Sequence, residues 1–249
     1  MTEETKAEPT AEPLPAARLA EPIVLVETPE DWVAALERLS NGSGPLAVDA
    51  ERASGFRYSQ RAYLVQLYRR GGPNYLVDPI AVGDLSGLSE QLGHEEWIIH
   101  AAHQDLPCLR EVGIEPTVIF DTELAGRLAG LPRVGLQGAV EDLMGMTLAK
   151  EHSAADWSTR PIPDPWLTYA ALDVELLPDL RDILGDILVE RGLSEIAQEE
   201  FDAALSAPTP PPREEPWRRL SGLHQVRGPR QLAIARSLWQ ARDAYARQI

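Results

Sequence analysis

The segment Leu46-Ala-Val-Asp-Ala-Glu51 decides the interpretation of this chain, because it joins an apolar run to two acidic residues. The apolar and β-branched residues predict a buried strand. Side chains alternate between the two faces of a strand, so Asp49 and Glu51 lie on one face at the strand's end. Taken alone, such a pair is commonly solvated surface.

Further strands and helices are predicted on both sides of this segment. A Thr cap followed by Pro29 predicts a helix after the strand Ile23–Val26. The remaining predicted elements are strands at 62–68, 75–78, 97–99 and 118–120 and helices at 104–112, 122–131 and from 163 onward. The first strands predict an antiparallel meander. The later alternation of strands with helices predicts a sheet whose faces are covered by helices. The sequence therefore predicts an α/β domain with a mixed sheet flanked by helices.

The composition divides the 249 residues into four segments. Residues 1–22 are rich in Glu, Pro and Ala and predict a disordered tail. The α/β domain spans 23–205, and the Pro-rich stretch 206–216 predicts a semi-rigid linker. Residues 217–249 are predicted to be helical, with a break at Gly228-Pro229. One such helix cannot bury its own apolar stripe, so this second module is either cut short or docked on the first domain.

Charge and cysteine content limit the classes of function. The formal net charge of −16 argues against a nucleic-acid partner, but residues 213–249 hold eight arginines and three acids and form a basic tail. No apolar run approaches the ~18 residues of a membrane span, and the N-terminus lacks the layout of a secretory signal. The chain has a single cysteine, Cys108, which excludes an internal disulfide. Cys108 is expected to be a residue of the hydrophobic core rather than a nucleophile. We expect a soluble, cytoplasmic protein with no membrane or protein partner.

Two other segments place acids where the first pair can meet them. Asp105 follows the predicted strand at Ile98-Ile99, and Tyr169 and Asp173 share one helical face at i, i+4 spacing. Separately, these residues also fit a helix cap and a surface pair. Four carboxylates cannot share a small site unless cations neutralise them. Oxygen ligands alone favour Mg²⁺ or Mn²⁺, and a pair of such ions suits in-line displacement at phosphorus.

Five motifs, taken in order, resemble those of the ribonuclease D family, 3′-5′ exoribonucleases of the DEDD superfamily. They are Val48–Glu51, Ala62–Leu67, His100–Leu106, Asp156–Pro161 and Tyr169–Val174, and the resemblance covers residues 23–205. Position 168 is Thr and position 169 is Tyr, which matches the tyrosine branch rather than the histidine branch. The stretches 217–222 and 230–233 resemble the opening of the helicase-and-ribonuclease-D C-terminal (HRDC) module.

The resemblance implies a ribonuclease H-like fold and a catalytic site. Two divalent metal ions, Mg²⁺ or Mn²⁺, would be held by Asp49, Glu51, Asp105 and Asp173, with Asp49 bridging. Tyr169 would orient the attacking water, since a phenol with a pKa near 10 is a poor base. The remaining motif residues are expected to contact substrate, and these are Gln66, His100, Trp157 and Arg160.

Several alternatives stay open at this point. The expected activity is removal of 3′-terminal nucleotides, as 5′-monophosphates, from RNA with a free 3′ end, such as tRNA-precursor-like or other structured RNA. A 3′-5′ DNA exonuclease acting on single strands and a catalytically inactive nucleic-acid-binding scaffold are the alternatives. Trp157 is equally explained as a buried aromatic, and His100 and His103 as core or supporting residues. The cluster of Arg52, Arg57 and Arg61 fits either phosphate contacts or solvated surface.

Overall fold

The computed structural model describes residues 13–148, 152–208 and 213–248, which contain six strands and ten α-helices. The strands are β1 (Ile23–Val26), β2 (Leu46–Arg52), β3 (Ala62–Tyr68), β4 (Asn74–Val77), β5 (Glu96–Ile99) and β6 (Val118–Asp121). The helices are α1 (Pro29–Ser40), α2 (Pro79–Val82), α3 (Ser86–Leu92), α4 (Ala102–Glu111), α5 (Thr122–Leu128), α6 (Leu136–Met144), α7 (Asp164–Glu175), α8 (Leu177–Glu190), α9 (Ser194–Ser206) and α10 (Pro229–Ala246).

The six strands form one mixed sheet in the order β1-β4-β3-β2-β5-β6. The strands β2, β3 and β4 pair antiparallel, which confirms the predicted meander. The strands β1, β5 and β6 join the sheet in parallel pairings, β1 beside β4 and β5 between β2 and β6. The expected α/β fold with a mixed sheet is therefore correct.

Helices cover both faces of the sheet. Helix α7 packs across β1, β2, β3 and β4, with Leu64, Leu76, Ala170 and Ala171 buried between them. Val65 and Leu67 point to the opposite face and join the main hydrophobic core with residues of the other helices. Because Leu64 faces α7, its register partner Glu51 faces α7 as well. The sheet therefore presents the acidic pair of β2 to helix α7.

The N-terminal prediction needs a correction. Disorder was expected over residues 1–22, but residues 13–22 contact the domain, while 1–12 lie outside the described residues. The backbone N–H of Ala17 donates to the carbonyl of Thr147 at 3.0 Å, and that of Ala20 donates to the carboxylate of Glu175 at 2.6 Å. Composition indicated little apolar surface to bury, but Ala17 and Leu19 pack against buried apolar clusters and add to these polar contacts with distant residues.

The C-terminal region is helical with irregular breaks, as expected. Two short 3-10 turns, Pro216–Arg219 and Leu223–Gln225, precede α10, and Trp217 is buried. The Tyr58 hydroxyl hydrogen-bonds to Asp243, and the guanidinium of Arg247 lies 5.7 Å from the centre of the Tyr58 ring. Helix α10 thus contacts the loop that follows β2. None of the helices in the described ranges has the length and hydropathy that a bilayer crossing needs.

Candidate active site

Strand β2 supplies the first two acids. Asp49 lies opposite Gln66 and Glu51 opposite Leu64 in the antiparallel ladder, so both carboxylates point toward α7. The register shifts between Glu51 and Arg52, an irregularity of the kind that re-aims a side chain at the end of a strand.

Helix α7 supplies the other two groups on that face. The helical repeat aligns Tyr169 and Asp173 one turn apart, and α7 packs directly on β2 and β3. One carboxylate oxygen from each of Asp49, Glu51 and Asp173 lies within 4.8 Å of the other two. The fold therefore brings Asp173 of α7 next to Asp49 and Glu51 of β2, although at least 122 residues separate Asp173 from either of them.

The fourth acid, Asp105, enters from the first turn of α4. It hydrogen-bonds with Asp49, and its carboxylate lies 3.6 Å from the Arg52 guanidinium. Asp105 does not join the tight group of three; it lies beside Asp49. Asp49 is thus the carboxylate common to both groupings.

The start of α4 is held by a residue that the sequence did not single out. Ala101 adopts a left-handed backbone conformation with a φ of 59°, which a residue with a Cβ rarely adopts. The buried carboxylate of Asp121 accepts hydrogen bonds from the N–H groups of Ala101 at 3.1 Å and Ala102 at 2.8 Å. It also accepts one from Glu123 at 2.9 Å, at the start of α5. Asp121 therefore fixes the direction in which α4 presents Asp105.

Burial makes the acidic cluster electrostatically unfavourable without a cation. Glu51, Asp105 and Asp173 are each at most 9% exposed. Burial raises the pKa of all three well above the ordinary range, and repulsion from Asp49 raises each pKa further. Burial also raises the pKa of Asp49 itself, partly offset by hydrogen bonds. Of the cations in the described ranges, Arg52 is the one that forms an ion pair with this cluster.

Tyr169 stays a neutral phenol in this surrounding. Burial raises its pKa, and the negative charge of Asp173 raises that pKa further. A hydroxyl with a raised pKa keeps its proton at neutral pH and is suited to hold a water molecule rather than to deprotonate it. The prediction that Tyr169 has a positioning role stays consistent with its environment.

The four acids and Tyr169 line one cleft of about 580 Å³. His100 lines it as well, and its Nδ1 lies 2.9 Å from the Thr122 hydroxyl. Burial lowers the pKa of His100, so its ring is neutral at pH 7. Its place in the cleft wall agrees with a substrate contact. Residues of the segment 133–138 also line the cleft. The sequence patterns did not identify this segment, and its glycines at 135 and 138 are only a weak indication of a functional loop.

Three residues predicted to contact substrate do not line the cleft. Gln66 is fully buried, and neither atom of its amide has a hydrogen-bond partner. Trp157 is also fully buried, packed at the edge of the Trp166 ring with its ring centre 6.3 Å from that of Tyr169. Trp157 is therefore the buried aromatic of the two alternatives, and it supports Tyr169 from behind.

Arg160 is the third of these residues. Its guanidinium donates to the Asp78 carboxylate at 2.5 Å and to the carbonyl oxygens of Trp157 at 2.8 Å and Tyr63 at 2.7 Å. A further bond to the carbonyl of Thr159 at 2.8 Å completes this set. Because its donors serve the protein itself, Arg160 ties the 157–160 loop to β3 and β4. Cys108 is buried in the core, as expected, and burial raises the pKa of its thiol to about 12.

The donor set fits a divalent-cation site. All ligands are carboxylate oxygens, which Mg²⁺ and Mn²⁺ prefer. The carboxylates of the cluster lie largely out of solvent and repel one another, and one arginine among the described residues forms an ion pair with them. Such a site at the end of a mixed sheet defines a class of proteins that perform displacement at phosphorus.

Residues 23–189 match the 3′-5′ exonuclease family, and the chain belongs to this family. It is 34% identical over 244 residues to ribonuclease D of Acidiphilium cryptum, covering 92% of this chain and 59% of that protein. A crystal structure of a protein from Bifidobacterium adolescentis superposes with a TM-score of 0.85 at 44% identity, covering 92% of this chain and 59% of that one.

Ribonuclease D of Escherichia coli, described as an exoribonuclease involved in structured RNA processing, is also similar. Its TM-score is 0.67 at 26% identity, with 91% of this chain and 61% of that chain covered. The chain thus spans less than two thirds of the length of these relatives.

Proposed function

We propose that this protein is a metal-dependent 3′-5′ exoribonuclease that releases 3′-terminal nucleotides as 5′-monophosphates. The observation that carries the proposal is the group of Asp49, Glu51 and Asp173, with oxygens within 4.8 Å of one another, beside Asp105 and Tyr169 in one cleft. Family membership and the ribonuclease D relatives support the same reaction.

The residues divide the chemistry between them. Asp49, Glu51 and Asp173 would hold one divalent ion, and Asp49 with Asp105 a second. When bound, two such ions activate water and stabilise the leaving 3′ oxygen. Burial of the cluster strengthens these electrostatic interactions, since water does not screen them.

Tyr169 and His100 would act on the substrate side of the cleft. The neutral Tyr169 hydroxyl holds the attacking water in line with the scissile phosphorus. His100, with Nδ1 beside Thr122, presents its other ring nitrogen to the 3′-terminal nucleotide. Neither residue needs to change its protonation state at neutral pH.

RNA is the proposed substrate because the similar proteins are named ribonuclease D, and one of them acts in structured RNA processing. We extend the proposal to tRNA-precursor-like or other structured RNA with a free 3′ end, and to the cytoplasm as the site of action. Residues 217–249 would then begin an HRDC-like module, and the eight arginines of 213–249 would offset the acidity of the body.

The test is a matched nuclease assay on the full chain. Labelled single-stranded RNA and DNA of one sequence are incubated with Mg²⁺, Mn²⁺ or EDTA. We expect stepwise loss of 3′ nucleotides from RNA with either metal, release of 5′-monophosphates and no reaction in EDTA. Asp49→Asn protein is the control for a contaminating nuclease. Faster removal from DNA than from RNA, or cleavage that persists in EDTA, contradicts the proposal.

A further inference from the structure

A second cavity lies along the loop that follows β2. It has a volume of about 860 Å³, and its walls come from residues 54–63 and from the end of α10 at Arg247. It holds none of the acids of the cleft.

The cavity concentrates exposed aromatic rings. Three aromatic side chains in the described ranges are largely exposed: Phe56 at 58%, Tyr58 at 41% and Tyr245 at 64%. Phe56 and Tyr58 both line this cavity, together with Tyr63. Large apolar faces held in water on neighbouring positions of one loop are typical of a binding surface.

Arginines stand among these rings. Arg57 is exposed, and its Nε donates to the Ser158 hydroxyl at 2.7 Å. Arg61 lies 5.8 Å from the centre of the Tyr63 ring, and neither Arg57 nor Arg61 has an ion pair among the described residues. Arg247 adds a third guanidinium, 5.7 Å from the centre of the Tyr58 ring, and differs from the other two because it forms an ion pair with Asp243 at 2.9 Å. In an otherwise acidic body, this surface pairs positive charge with flat apolar faces.

The second cavity lies near the cleft. A smaller cavity of about 260 Å³ shares Glu51 and Arg52 with the cleft and shares Ser54 and Gly55 with the second cavity. The three cavities therefore adjoin one another along this loop, from the acids toward α10.

We propose that Phe56, Arg57, Tyr58, Arg61 and Arg247 form a platform for the single-stranded RNA nucleotides on the 5′ side of the scissile linkage. The inference rests on the proposed function, which places the 3′ end in the cleft. Bases stack on exposed aromatic rings with little regard to sequence, and guanidinium groups bind phosphates. The platform thus prefers RNAs whose single-stranded 3′ tail reaches beyond the cleft.

The experiment measures binding without hydrolysis. Full-length Asp49→Asn protein is titrated with Mn²⁺ present into fluorescently labelled oligouridylates of two and eight nucleotides, and the dissociation constants are read from anisotropy. We expect the added substitutions Phe56→Ala and Tyr58→Ala to weaken octamer binding about tenfold or more, the scale of losing one or two stacked bases. The loss for the dinucleotide should be several-fold smaller.

Two further variants separate stacking from other causes. Tyr58→Phe keeps the ring but loses the hydrogen bond to Asp243, and it should bind the octamer like the parent. Tyr245→Ala removes a still more exposed ring that does not line the cavity, and it should also bind like the parent. Equal losses for dinucleotide and octamer, or a Tyr58→Phe loss as large as that of Tyr58→Ala, would overturn the platform.

The result is separable from the proposed function. If the unsubstituted protein proves inactive yet its octamer binding depends on Phe56 and Tyr58, the nuclease proposal fails and the platform stands. If it degrades RNA while the double variant binds the octamer as tightly as the parent, the platform fails and the nuclease proposal stands.

Discussion

Two buried carboxylate sites in one sheet have opposite surroundings. Asp78, at the end of β4, accepts hydrogen bonds from Arg160 at 2.5 Å and from the Ile80 N–H at 2.8 Å. Burial alone would raise the pKa of Asp78, but these donors outweigh it and lower that pKa. In the cluster around Asp49, burial raises the pKa of every acid, and the negative charge of Asp49 raises the pKa of the other three acids further.

The difference separates a structural carboxylate from a ligand-binding one. Both sites are shielded from water, so residue type and burial do not distinguish them. The hydrogen-bond donors and positive charges around each site distinguish them. The chain itself supplies those that Asp78 needs, whereas the Asp49 cluster needs cations from outside the chain. A buried carboxylate group without enough positive charge or donors within the chain is thus a candidate for binding a cation.

The largest effect is expected from Asp173→Asn. Removing this ligand should lower kcat by about 10³-fold or more, the upper scale of losing one electrostatic stabiliser of the transition state. In EDTA the variant should melt no lower than the parent, since it relieves repulsion within the cluster. Asp78→Asn is the matched control. It should lower the stability of the protein and leave the kcat of the folded fraction unchanged. A clear loss of stability in Asp173→Asn without metal would show that the two sites do not differ as described.

Asp121→Ala should be the most destabilising of the substitutions considered. The carboxylate accepts backbone hydrogen bonds at the start of both α4 and α5, and its loss leaves those buried N–H groups without a partner. We expect the free energy of unfolding to fall by about 3 kcal/mol in urea denaturation. Asp186→Ala, an exposed acid of α8, is the control and should change little. A change below about 1 kcal/mol for Asp121→Ala would count against its role at these helix starts.

Tyr169→Phe should lower kcat by about 10²-fold with little change in KM, because a hydroxyl that holds water acts in the transition state. The ring packing against Trp157 is kept and only the hydrogen bond from the hydroxyl to Asp173 is lost, so the melting temperature should fall by a few degrees at most. Steady-state kinetics on a short RNA measure both constants. A rise in KM at constant kcat would instead make Tyr169 a wall for the substrate.

The pH dependence of stability should slope in opposite directions at the two sites. The folded pKa of Glu51 is raised, so its contribution is present below the unfolded pKa of about 4.3 and is lost as pH rises through the folded pKa. The folded pKa of Asp78 is lowered, so its contribution is present above about 3.9 and is lost as pH falls through the folded pKa.

Melting curves in EDTA from pH 3 to pH 8 measure this contrast. Relative to the parent, Glu51→Gln should gain melting temperature as pH rises, and Asp78→Asn should lose it, by about 2–4 °C per kcal/mol. Parallel curves for the two variants would contradict the assignment of their surroundings.

The sequence predicted the parts of the site that local patterns encode. Alternation along β2 and the i, i+4 spacing on α7 place Asp49, Glu51, Tyr169 and Asp173 correctly, because each pattern fixes the face on which a side chain lies. The helices α3 and α6 were missed, since they are short and contain or follow glycine.

Partners distant in sequence explain where the structure differs from the other expectations. Arg160 was expected to bind substrate, but its partner Asp78 is 82 residues away, and nothing near position 160 indicates it. The N-terminal segment was expected to be disordered, but Glu175 holds it from 155 residues away. Motif and composition identify residues with a specific role. Whether that role is to stabilise the fold or to contact substrate depends on partners that the local sequence does not show.

Counting bound Mn²⁺ by electron paramagnetic resonance tests the central claim most directly, that the Asp49 cluster is completed by cations and the Asp78 site is not. At neutral pH we predict two saturable Mn²⁺ sites in the full chain, loss of at least one in Asp49→Asn, and no change in Asp78→Asn at a temperature where each variant is folded. Because the acids have raised pKa values, binding should also release protons, which a pH-stat records. Absence of saturable binding, or equal Mn²⁺ counts in the parent and Asp49→Asn, would contradict the account.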